Sequence, residues 1–257
     1  MKLLSLKITS DFRNLKGVNL QFDPANDTYV IIGNNGTGKT NILEALSSVF
    51  SVLLAHSQDF LFSFLLRYNI GDVEYWVRHK IDTKTTEYKK NNEVVNEAGM
   101  TYPNRIVCNY SGEDTRMWNN YYKKPNEDYM NSVRTAAAPD VLSMVYIDKT
   151  MWKYVLLCML TTRNMNVAFD RFLKEKLHIA SDGINTVEMK LDEAKLRRWR
   201  AENQITLFLN QLRHRLGSNE VLASSNVEDF NPNEDDAREL FNKFIGASQV
   251  IDSLNIY

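Results

Sequence analysis

Three of the ten glycines in this 257-residue chain lie within one short segment, GNNGTGKT, at positions 33, 36 and 38. The segment has the spacing of a phosphate-binding loop, which is glycine, four residues, Gly-Lys and then serine or threonine. Glycines let the backbone approach phosphate oxygens closely, and successive N–H groups then point at the anion. Lys39 would bridge the outer phosphates, and the Thr40 hydroxyl would bind a Mg²⁺ ion carried by a nucleotide. The predicted phosphate-binding residues are Asn34, Asn35, Gly36, Thr37, Gly38, Lys39, Thr40 and Asn41.

The residues on both sides of this loop predict the elements that hold it. Tyr29–Ile32 is a continuous apolar run, which is typical of a strand buried on both faces. From Thr40 onward the apolar residues recur at a spacing of three and four, which predicts a helix with a broad buried face. Strand, loop and helix therefore follow one another in the order that directs the positive end of the helix at a bound phosphate.

The longer segment GNNGTGKTNILEAL, entered from LKITSDFRNLKGVNLQF, resembles the N-terminal lobe of the SMC/RecF-like branch of ABC-type ATPases. That branch has Gly-x-Asn-Gly-x-Gly-Lys-[Thr/Ser]-Asn-x-x-Glu-Ala after a strand–loop–strand that carries Phe-Arg. The resemblance is close over residues 2–46 and weak beyond them. It implies an α/β fold of the P-loop NTPase class (an ABC-type ATPase head) with an antiparallel β-subdomain and a helical insertion. It also implies that the cofactors are ATP and Mg²⁺.

The same resemblance implies roles for two further positions. Arg13 would reach the bound nucleotide, although an arginine solvated on a loop is an equally good interpretation. The family has a glutamine after the next core strand, which senses Mg²⁺ and the γ-phosphate, and Ser111 stands at the corresponding turn here. Either this chain uses a hydroxyl or an acid at that turn, or the two sequences align differently there.

Hydrophobic periodicity predicts the remaining elements. The alternation at residues 72–81 predicts a half-solvated antiparallel strand, followed by a hairpin that turns at Asn91-Asn92. Residues 119–139 are polar and contain two prolines, which predicts a surface loop. The other predicted strands are residues 2–8, 18–22, 105–110, 142–148, 184–192 and the tail 247–257. The other predicted helices are residues 151–162, 167–179, 205–216, and one that is capped by Asn233 and ends at Gly246.

We predict two parts in the chain. Residues 1–150 would form the N-terminal lobe of an ABC-type ATPase domain, with the phosphate loop and the antiparallel strands. Residues 151–257 would form a helical subdomain that leads toward a C-terminal lobe outside this sequence. The tail ends abruptly after strand-like residues, and this end, combined with the missing hydrolysis motifs described next, leads us to expect a longer ATPase or a second polypeptide.

The acids that ATP hydrolysis requires are not identifiable in the sequence. ABC-type hydrolysis needs a strand aspartate for Mg²⁺, a following glutamate that activates water, and a Leu-Ser-Gly-Gly-type signature, of which the sequence has none. Met144–Asp148 imitates the acidic strand, but Lys149 follows where the glutamate belongs. A core strand that ends in a solvated aspartate is the preferred interpretation. The catalytic residues therefore stay unknown, and this chain alone is expected to bind ATP and to hydrolyse it poorly.

Composition limits the other classes of function. The net charge of −1 argues against a chain that binds polyanions over its whole surface. Cys108 and Cys158 lie in apolar settings without metal-ligand spacing, which predicts reduced thiols. A signal peptide and a membrane span are both absent from the sequence pattern, so we expect a cytoplasmic location. The basic runs Lys195–Arg200 and Arg213–Arg215 are either solvated faces or contacts to nucleic acid, with Trp199 available for stacking.

Two functions from different classes stay open. The first is an ATP-driven switch, a homodimer or higher oligomer that sandwiches ATP–Mg²⁺ between its chains and acts in DNA repair, DNA maintenance or anti-phage defence. Such a switch would control a partner effector, for example a nuclease, and would involve direct contact with DNA in some cases. The second is an ATP-binding scaffold that assembles a complex without turnover. A catalytic glutamate, present downstream or in a partner for the first and absent for the second, distinguishes them.

Overall fold

The computed structural model describes residues 1–110, 115–180, 183–184, 186–217 and 220–257. The chain forms two compact units. Unit 1 consists of residues 1–108, 112–125 and 143–145, and unit 2 consists of residues 109–111, 126–142 and 146–257. The sequence predicts a division at residue 150, and the last segment of unit 2 begins close to it, at residue 146. Two shorter segments of unit 2, residues 109–111 and 126–142, lie in the part of the chain that the sequence assigns to the N-terminal lobe.

Unit 1 is built on a six-stranded antiparallel sheet with the order β2-β1-β3-β4-β5-β6. Its strands are β1 (Lys2–Ile8), β2 (Asn19–Gln21), β3 (Phe64–Ile70), β4 (Val73–Lys80), β5 (Thr85–Lys90) and β6 (Glu93–Val95). The sheet confirms the antiparallel region and the predicted strands at residues 2–8, 18–22 and 72–81. β3 has no counterpart among the predicted strands, because its apolar-rich stretch also suits a helix.

The turn between β5 and β6 lies where the sequence predicts it. Asn91 and Asn92 have φ values of 47° and 67°. Two-residue hairpin loops favour positive φ at both central positions, and asparagine tolerates this region better than most residues. The Asn91 side chain also accepts a hydrogen bond of 3.0 Å from the Glu74 N–H, which ties the turn to β4.

Helix α1 (Lys39–Leu54) packs against this sheet and fixes the position of the loop before it. Its apolar face shares one core cluster with side chains of β1, β3 and β4. The helix contributes Ile42, Ala45, Val49, Phe50 and Leu53, all at most 7% exposed. Burial of a large apolar side chain stabilises a fold by about 1.5–3 kcal/mol, so this face holds α1 firmly and confirms the predicted helix.

The prediction of a buried strand at Tyr29–Ile32 is wrong in this structure. The segment is irregular, and Val30 and Ile32 are 79% and 89% exposed. A strand needs a neighbour, and both edges of β1 are occupied by β2 and β3. Within the described part of the chain, no strand pairs with residues 29–32. The apolar run therefore remains uncovered.

Further along the chain, a two-stranded sheet pairs β7 (Ile106–Asn109) with β8 (Met144–Ile147). A π-helical turn, Trp118–Tyr122, runs into α2 (Lys123–Thr135). Unit 2 contains α3 (Met151–Thr161), α4 (Val167–Glu175), α5 (Glu193–Leu196), α6 (Gln204–Leu216) and α7 (Ala237–Ala247). It also contains a three-stranded antiparallel sheet in which β9 (Val187–Leu191) lies between β10 (Val221–Ser224) and β11 (Ile251–Ile256).

Most of the elements predicted for this half of the chain are confirmed, but the prediction for residues 119–139 is wrong. Residues 119–139 are largely helical, whereas the sequence predicts a surface loop. The polar composition conceals buried apolar side chains at helical spacing, which are Tyr121, Tyr122, Tyr129, Met130 and Val133. Pro125 lacks the N–H of a regular helix and lies in the first turn of α2, directly after the π-helical turn. Burial of the apolar face outweighs these unfavourable local signals.

The start of α7 also differs from its prediction. The helix begins at Ala237 and is capped by Asp236, three residues beyond Asn233. The Asp236 carboxylate accepts hydrogen bonds of 2.8 and 2.9 Å from the N–H groups of Arg238 and Glu239. Asn233 instead donates to Gln211 of α6. Both residue types are good caps, so the sequence alone does not distinguish them.

The sequence also leads to expectations about membrane spans and about the two cysteines. Among the described residues, no helix combines the length and apolar character that crossing a membrane requires. Cys108 and Cys158 are both free. Burial raises the pKa of each thiol above its ordinary value, which keeps both in the unreactive protonated form at neutral pH.

Candidate nucleotide-binding site

The N-terminus of α1 is built to receive an anion. Gly38 is its capping residue, with φ 94° and ψ 14°, and it offers no side chain to the helix. The first turn contains no acidic residue. The first N–H groups of a helix have no partner inside the helix, and together with the helix dipole they attract negative charge. Lys39, Thr40 and Asn41 form this first turn and are partly exposed.

The two later glycines of the loop are required for different reasons. Gly36 has φ 83° and open space around the position of a Cβ atom, so its backbone conformation alone favours glycine. Gly38 has φ 94°, and a Cβ atom there would lie 2.7 Å from Asn14 Oδ1 and 3.0 Å from Leu15 Cδ2. The loop therefore both turns sharply and packs directly on the segment that carries Arg13.

The Lys39 side chain crosses the loop. Its Nζ donates hydrogen bonds of 2.7 Å to the carbonyl oxygens of both Gly33 and Asn34. The Thr37 hydroxyl donates to the same Asn34 oxygen at 2.8 Å. The ammonium group is thereby held beside the backbone of the loop, next to the uncapped end of α1. Residues 34–37 are exposed and residues 39–41 are partly exposed, whereas Gly38 is buried, so the loop and the first turn of α1 are accessible to solvent on either side of Gly38.

Asn14 ties this loop to the turn between β1 and β2. Its Nδ2 donates to the Gly36 carbonyl at 3.1 Å, and its Oδ1 accepts from Asn41 Nδ2 at 2.7 Å. The side chain thus joins the middle of the phosphate loop to the first turn of α1. The sequence analysis did not identify Asn14 as a functional residue. Its only signal is its place directly after Arg13, in the segment that the family resemblance includes.

A buried carboxylate lies behind the loop, on α1. Glu44 is 1% exposed, and its two oxygens face two arginines. Arg13 Nη2 lies 3.3 Å from Glu44 Oε2, and Arg116 Nη2 lies 2.5 Å from Glu44 Oε1. The side chains of these arginines are 37% and 39% exposed, so each guanidinium group reaches solvent from a buried anchor. Arg13 therefore lies on a solvent-exposed loop, as the alternative interpretation has it, and also forms an ion pair with Glu44, so its contact with a nucleotide stays a prediction.

Tyr121 completes this group of residues. Burial raises its pKa, and the Glu44 charge acts in the same direction, whereas a hydrogen bond from Arg13 lowers it. A cavity of about 440 Å³ lies beside Arg13 and Tyr121 and also touches Asp11 and Asn120. Sequence reasoning missed both Arg116 and Tyr121, because they lie in the segment that was predicted to be a loop or directly before it.

The aspartate that imitates a catalytic acid has a structural role in this structure. Asp148 is exposed and follows β8, as the preferred interpretation expects. Its Oδ1 accepts hydrogen bonds from the Thr150 N–H, the Thr150 hydroxyl and the Met151 N–H, at 2.7–3.0 Å. Burial alone would raise the pKa of Asp148, but these hydrogen bonds hold it below its ordinary value. The carboxylate therefore organises the start of α3.

Two other predicted features receive less information from the structure. Ser111, which stands where the family has its sensor glutamine, lies outside the described residues. Among the residues that are described, no cluster of three or more His, Cys, Asp or Glu side chains is arranged to hold a metal ion. The donors that are present fit a phosphate chain: uncapped N–H groups, the Lys39 ammonium and the Thr40 hydroxyl.

Comparison with known proteins agrees with this geometry. A family model described as an AAA ATPase domain matches residues 1–243. The chain belongs to the AAA ATPase domain family. This membership supports ATPase activity, and it confirms the P-loop ATPase and the α/β P-loop fold class predicted from the sequence. No curated protein matches the chain.

Among solved structures, one match is the recombination mediator protein RecF with ATP, a protein of the RecFOR pathway. The two chains share 19% sequence identity with a TM-score of 0.32. The match covers 68% of the AAA ATPase chain and 46% of the RecF chain. The AAA ATPase chain thus spans less than half the length of that structure.

Proposed function

We propose that residues Asn34–Asn41 bind the phosphates of Mg²⁺-ATP. The observation that carries this proposal is the start of α1. Its capping residue, the left-handed Gly38, offers no side chain to the first N–H groups of the helix, and the Lys39 ammonium lies beside the loop. Phosphate oxygens would accept hydrogen bonds from the first N–H groups of the helix, and Lys39 would bridge the outer phosphates. The Thr40 hydroxyl would bind the Mg²⁺ ion that the nucleotide brings with it.

Arg13 would contact the same nucleotide. Its neighbour Asn14 touches the phosphate loop through Gly36 and Asn41, so the Arg13 backbone lies close to that loop. Glu44 holds the guanidinium group from the buried side, which reduces the conformational freedom that binding would otherwise remove. Arg13→Gln is expected to weaken Mg²⁺-ATP binding, whereas the fold should tolerate it because Arg116 still pairs with Glu44.

Hydrolysis would use groups from a second polypeptide segment. Asp148 is engaged at the start of α3, and Glu44 is engaged by two arginines, so neither is poised to activate water. We infer that a partner lobe supplies the catalytic glutamate and the signature residues across an ATP sandwich. The exposed apolar residues Val30 and Ile32 beside the phosphate loop support this inference, since a strand from such a lobe would cover them.

The biological setting of this switch follows from the sequence resemblance alone. Nucleotide-gated dimerisation would drive association, and hydrolysis would release the partners. We propose that the switch acts in DNA repair, DNA maintenance or anti-phage defence and controls an effector such as a nuclease. A second candidate, an ATP-binding scaffold without turnover, is favoured by the structural engagement of Asp148 and Glu44 described above.

Turnover at different protein concentrations tests whether this chain forms a working ATP sandwich by itself. ATP hydrolysis by the whole chain is measured over a hundredfold range of concentration, with Lys39→Ala and with Lys176→Ala, an exposed lysine of unit 2, as the matched control. A rate per chain that rises with concentration, is lost in Lys39→Ala and is kept in Lys176→Ala supports the sandwich. Tight binding of ATP with no turnover at any concentration excludes a sandwich that is catalytically complete in this chain, and it is the result expected both of the scaffold and of a switch whose glutamate comes from a partner lobe. Turnover that Lys39→Ala leaves unchanged contradicts both.

A further inference from the structure

Unit 2 contains a cavity of about 530 Å³ whose lining is strongly basic. Its charged residues are Arg134, Lys195, Arg198 and Arg200, and the indole of Trp199 also lines it. The remaining described residues of the lining are uncharged, and none carries a carboxylate. We refer to this feature as the Trp199 cavity. The chain as a whole has a net charge of −1, so this concentration of positive charge is local.

The local structure holds these side chains in place. Asp192 caps the short helix α5, accepting a hydrogen bond of 2.9 Å from the Lys195 N–H. Two turn hydrogen bonds follow, from Arg198 N–H to the Lys195 carbonyl and from Trp199 N–H to the Leu196 carbonyl, each 3.0 Å long. The Arg200 N–H then donates to the Arg134 carbonyl near the end of α2, at 3.1 Å. Residues 195–200 are therefore an ordered segment fastened at both ends.

The guanidinium charges of this cavity lack internal compensation. Lys195 pairs with Asp192 at 2.9 Å, and that hydrogen bond raises the pKa of the lysine. Arg134 donates to the neutral Asn131 side chain at 3.2 Å. Within the described residues, Arg198 and Arg200 have no carboxylate partner.

In the second basic run of the sequence, both arginines have carboxylate partners. Arg213 forms an ion pair with Glu193, and Arg215 pairs with Asp229 at 3.0 Å. These arginines therefore stabilise unit 2 itself, as a solvated and paired helix face does. The contrast between the two runs concerns their arginines, because Lys195 of the first run also has an acidic partner. Arg198 and Arg200 are therefore able to pair with an anion that a bound ligand supplies.

We propose that the Trp199 cavity binds single-stranded nucleic acid. Arg134, Arg198 and Arg200 would contact successive phosphates, and an unpaired base would stack on Trp199. A duplex keeps its bases stacked inside, so it could use the arginines but not the indole. An acidic peptide would satisfy the charges but would leave the aromatic surface unused. Strand binding at this cavity is independent of the phosphate loop in unit 1.

The first test measures binding of labelled 12-nucleotide strands, DNA and RNA of one mixed sequence, to the whole chain by fluorescence anisotropy at several salt concentrations. The double variant Arg198→Gln with Arg200→Gln removes two phosphate contacts. It should bind more weakly and should reduce the slope of log affinity against log salt by about 1.4. The matched control is Arg171→Gln with Lys176→Gln, two exposed cations of unit 2 outside the cavity, and it should keep the original slope.

The second test addresses the stacking surface. Trp199→Ala should weaken binding of the strand about 5- to 150-fold, and Trp199→Phe should restore most of that loss. The melting temperature and Mg²⁺-ATP binding of each variant verify that it is folded.

Four results would overturn the proposal. These are no binding of either strand by the unmodified chain, equal losses in the cavity and control variants, duplex binding as tight as strand binding, and a poly-glutamate peptide that binds as tightly as the strand.

Discussion

Gly38 combines two demands at one position, a left-handed backbone and close contact with the Asn14 and Leu15 side chains. We expect Gly38→Ala to destabilise the fold by more than the about 1–2 kcal/mol that left-handed strain costs, because the new methyl group also meets Asn14 at 2.7 Å. Gly36→Ala is the matched control, since it has strain but open space. Denaturant unfolding measures both, and equal losses would contradict the close contact.

The Glu44 ion pairs allow a second prediction about single residues. Glu44→Gln removes the buried charge and leaves two half-exposed arginines that water can solvate, so the cost should be moderate. Arg13→Gln with Arg116→Gln leaves a buried carboxylate unpaired, which should cost about 3–5 kcal/mol of unfolding free energy.

Exposed pairs provide the comparison for that prediction. Lys16→Gln with Arg78→Gln breaks two exposed ion pairs, with Asp11 and Glu87, and should cost less than about 1 kcal/mol for each pair. All variants are compared by unfolding in urea at one pH. If Glu44→Gln proves more destabilising than the double arginine variant, the buried carboxylate is not the anchor of this cluster.

The residue types of the phosphate loop could be read from the sequence because their chemistry is local. Glycine, lysine and threonine at this fixed spacing are enough to indicate a phosphate-binding loop, and the loop lies directly before α1, as the sequence predicts. Asn14, Arg116 and Tyr121 could not be identified in that way. Their roles depend on contacts across 22 residues or more along the chain, which no local pattern encodes.

Among the elements, α3 depends on the carboxylate that precedes it. Asp148→Ala should reduce the free energy of unfolding by about 1 kcal/mol, as the loss of a helix-end cap does, whereas Asp148→Asn keeps an acceptor and should cost less. Because the pKa of Asp148 is depressed in the folded protein, its contribution is present above pH 3.8 and declines as the pH falls below that value. Any ATP turnover that the unmodified chain shows should survive both substitutions, and its loss in Asp148→Asn would identify a catalytic acid instead.

The six-stranded sheet contains a histidine that makes its stability depend on pH. His79 of β4 is 2% exposed and lies against the rings of Phe60 and Phe64. Burial lowers its pKa below 6.5, so the unfolded chain binds a proton more readily than the folded chain does. Stability is therefore full above pH 6.5 and falls as the pH drops below it, by at most about 1.4 kcal/mol per pH unit from this group.

Substitution separates this effect from other titrations. In urea unfolding between pH 7.5 and 5, His79→Gln should flatten the slope whatever its absolute stability. His214→Gln, which replaces an exposed histidine of α6, should leave the slope as it was. A slope that persists in His79→Gln would exclude the buried imidazole as its source.

Periodicity predicted the elements whose burial is one-sided and failed where the context decides. The alternation of apolar and polar residues in β4 and the apolar stripe of α1 each indicate which face is buried, and both elements lie where they were predicted. The apolar run Tyr29–Ile32 states only that it could be buried, and no described strand covers it. Residues 119–139 fail for the opposite reason, because a few buried tyrosines outweigh a polar average.

At the scale of the whole molecule, the two units carry different chemistry. Unit 1 presents the phosphate loop, its lysine and the arginines anchored on Glu44. Unit 2 presents the Trp199 cavity with its uncompensated arginines. Membership in the AAA ATPase domain family, which covers residues 1–243, includes nearly all of both. The proposed functions can therefore be tested separately, with substitutions confined to one unit.

The central claim is that the phosphate loop binds Mg²⁺-ATP, and calorimetric titration of the whole chain with Mg²⁺-ATP tests it most directly. The unmodified chain and the Lys176→Ala control should bind one nucleotide per chain with equal affinity. Lys39→Ala should lose at least about tenfold in affinity, because a charged hydrogen bond to phosphate contributes about 1.5–3 kcal/mol. A folded chain that takes up no nucleotide, or that binds it as tightly after Lys39→Ala, would contradict the claim.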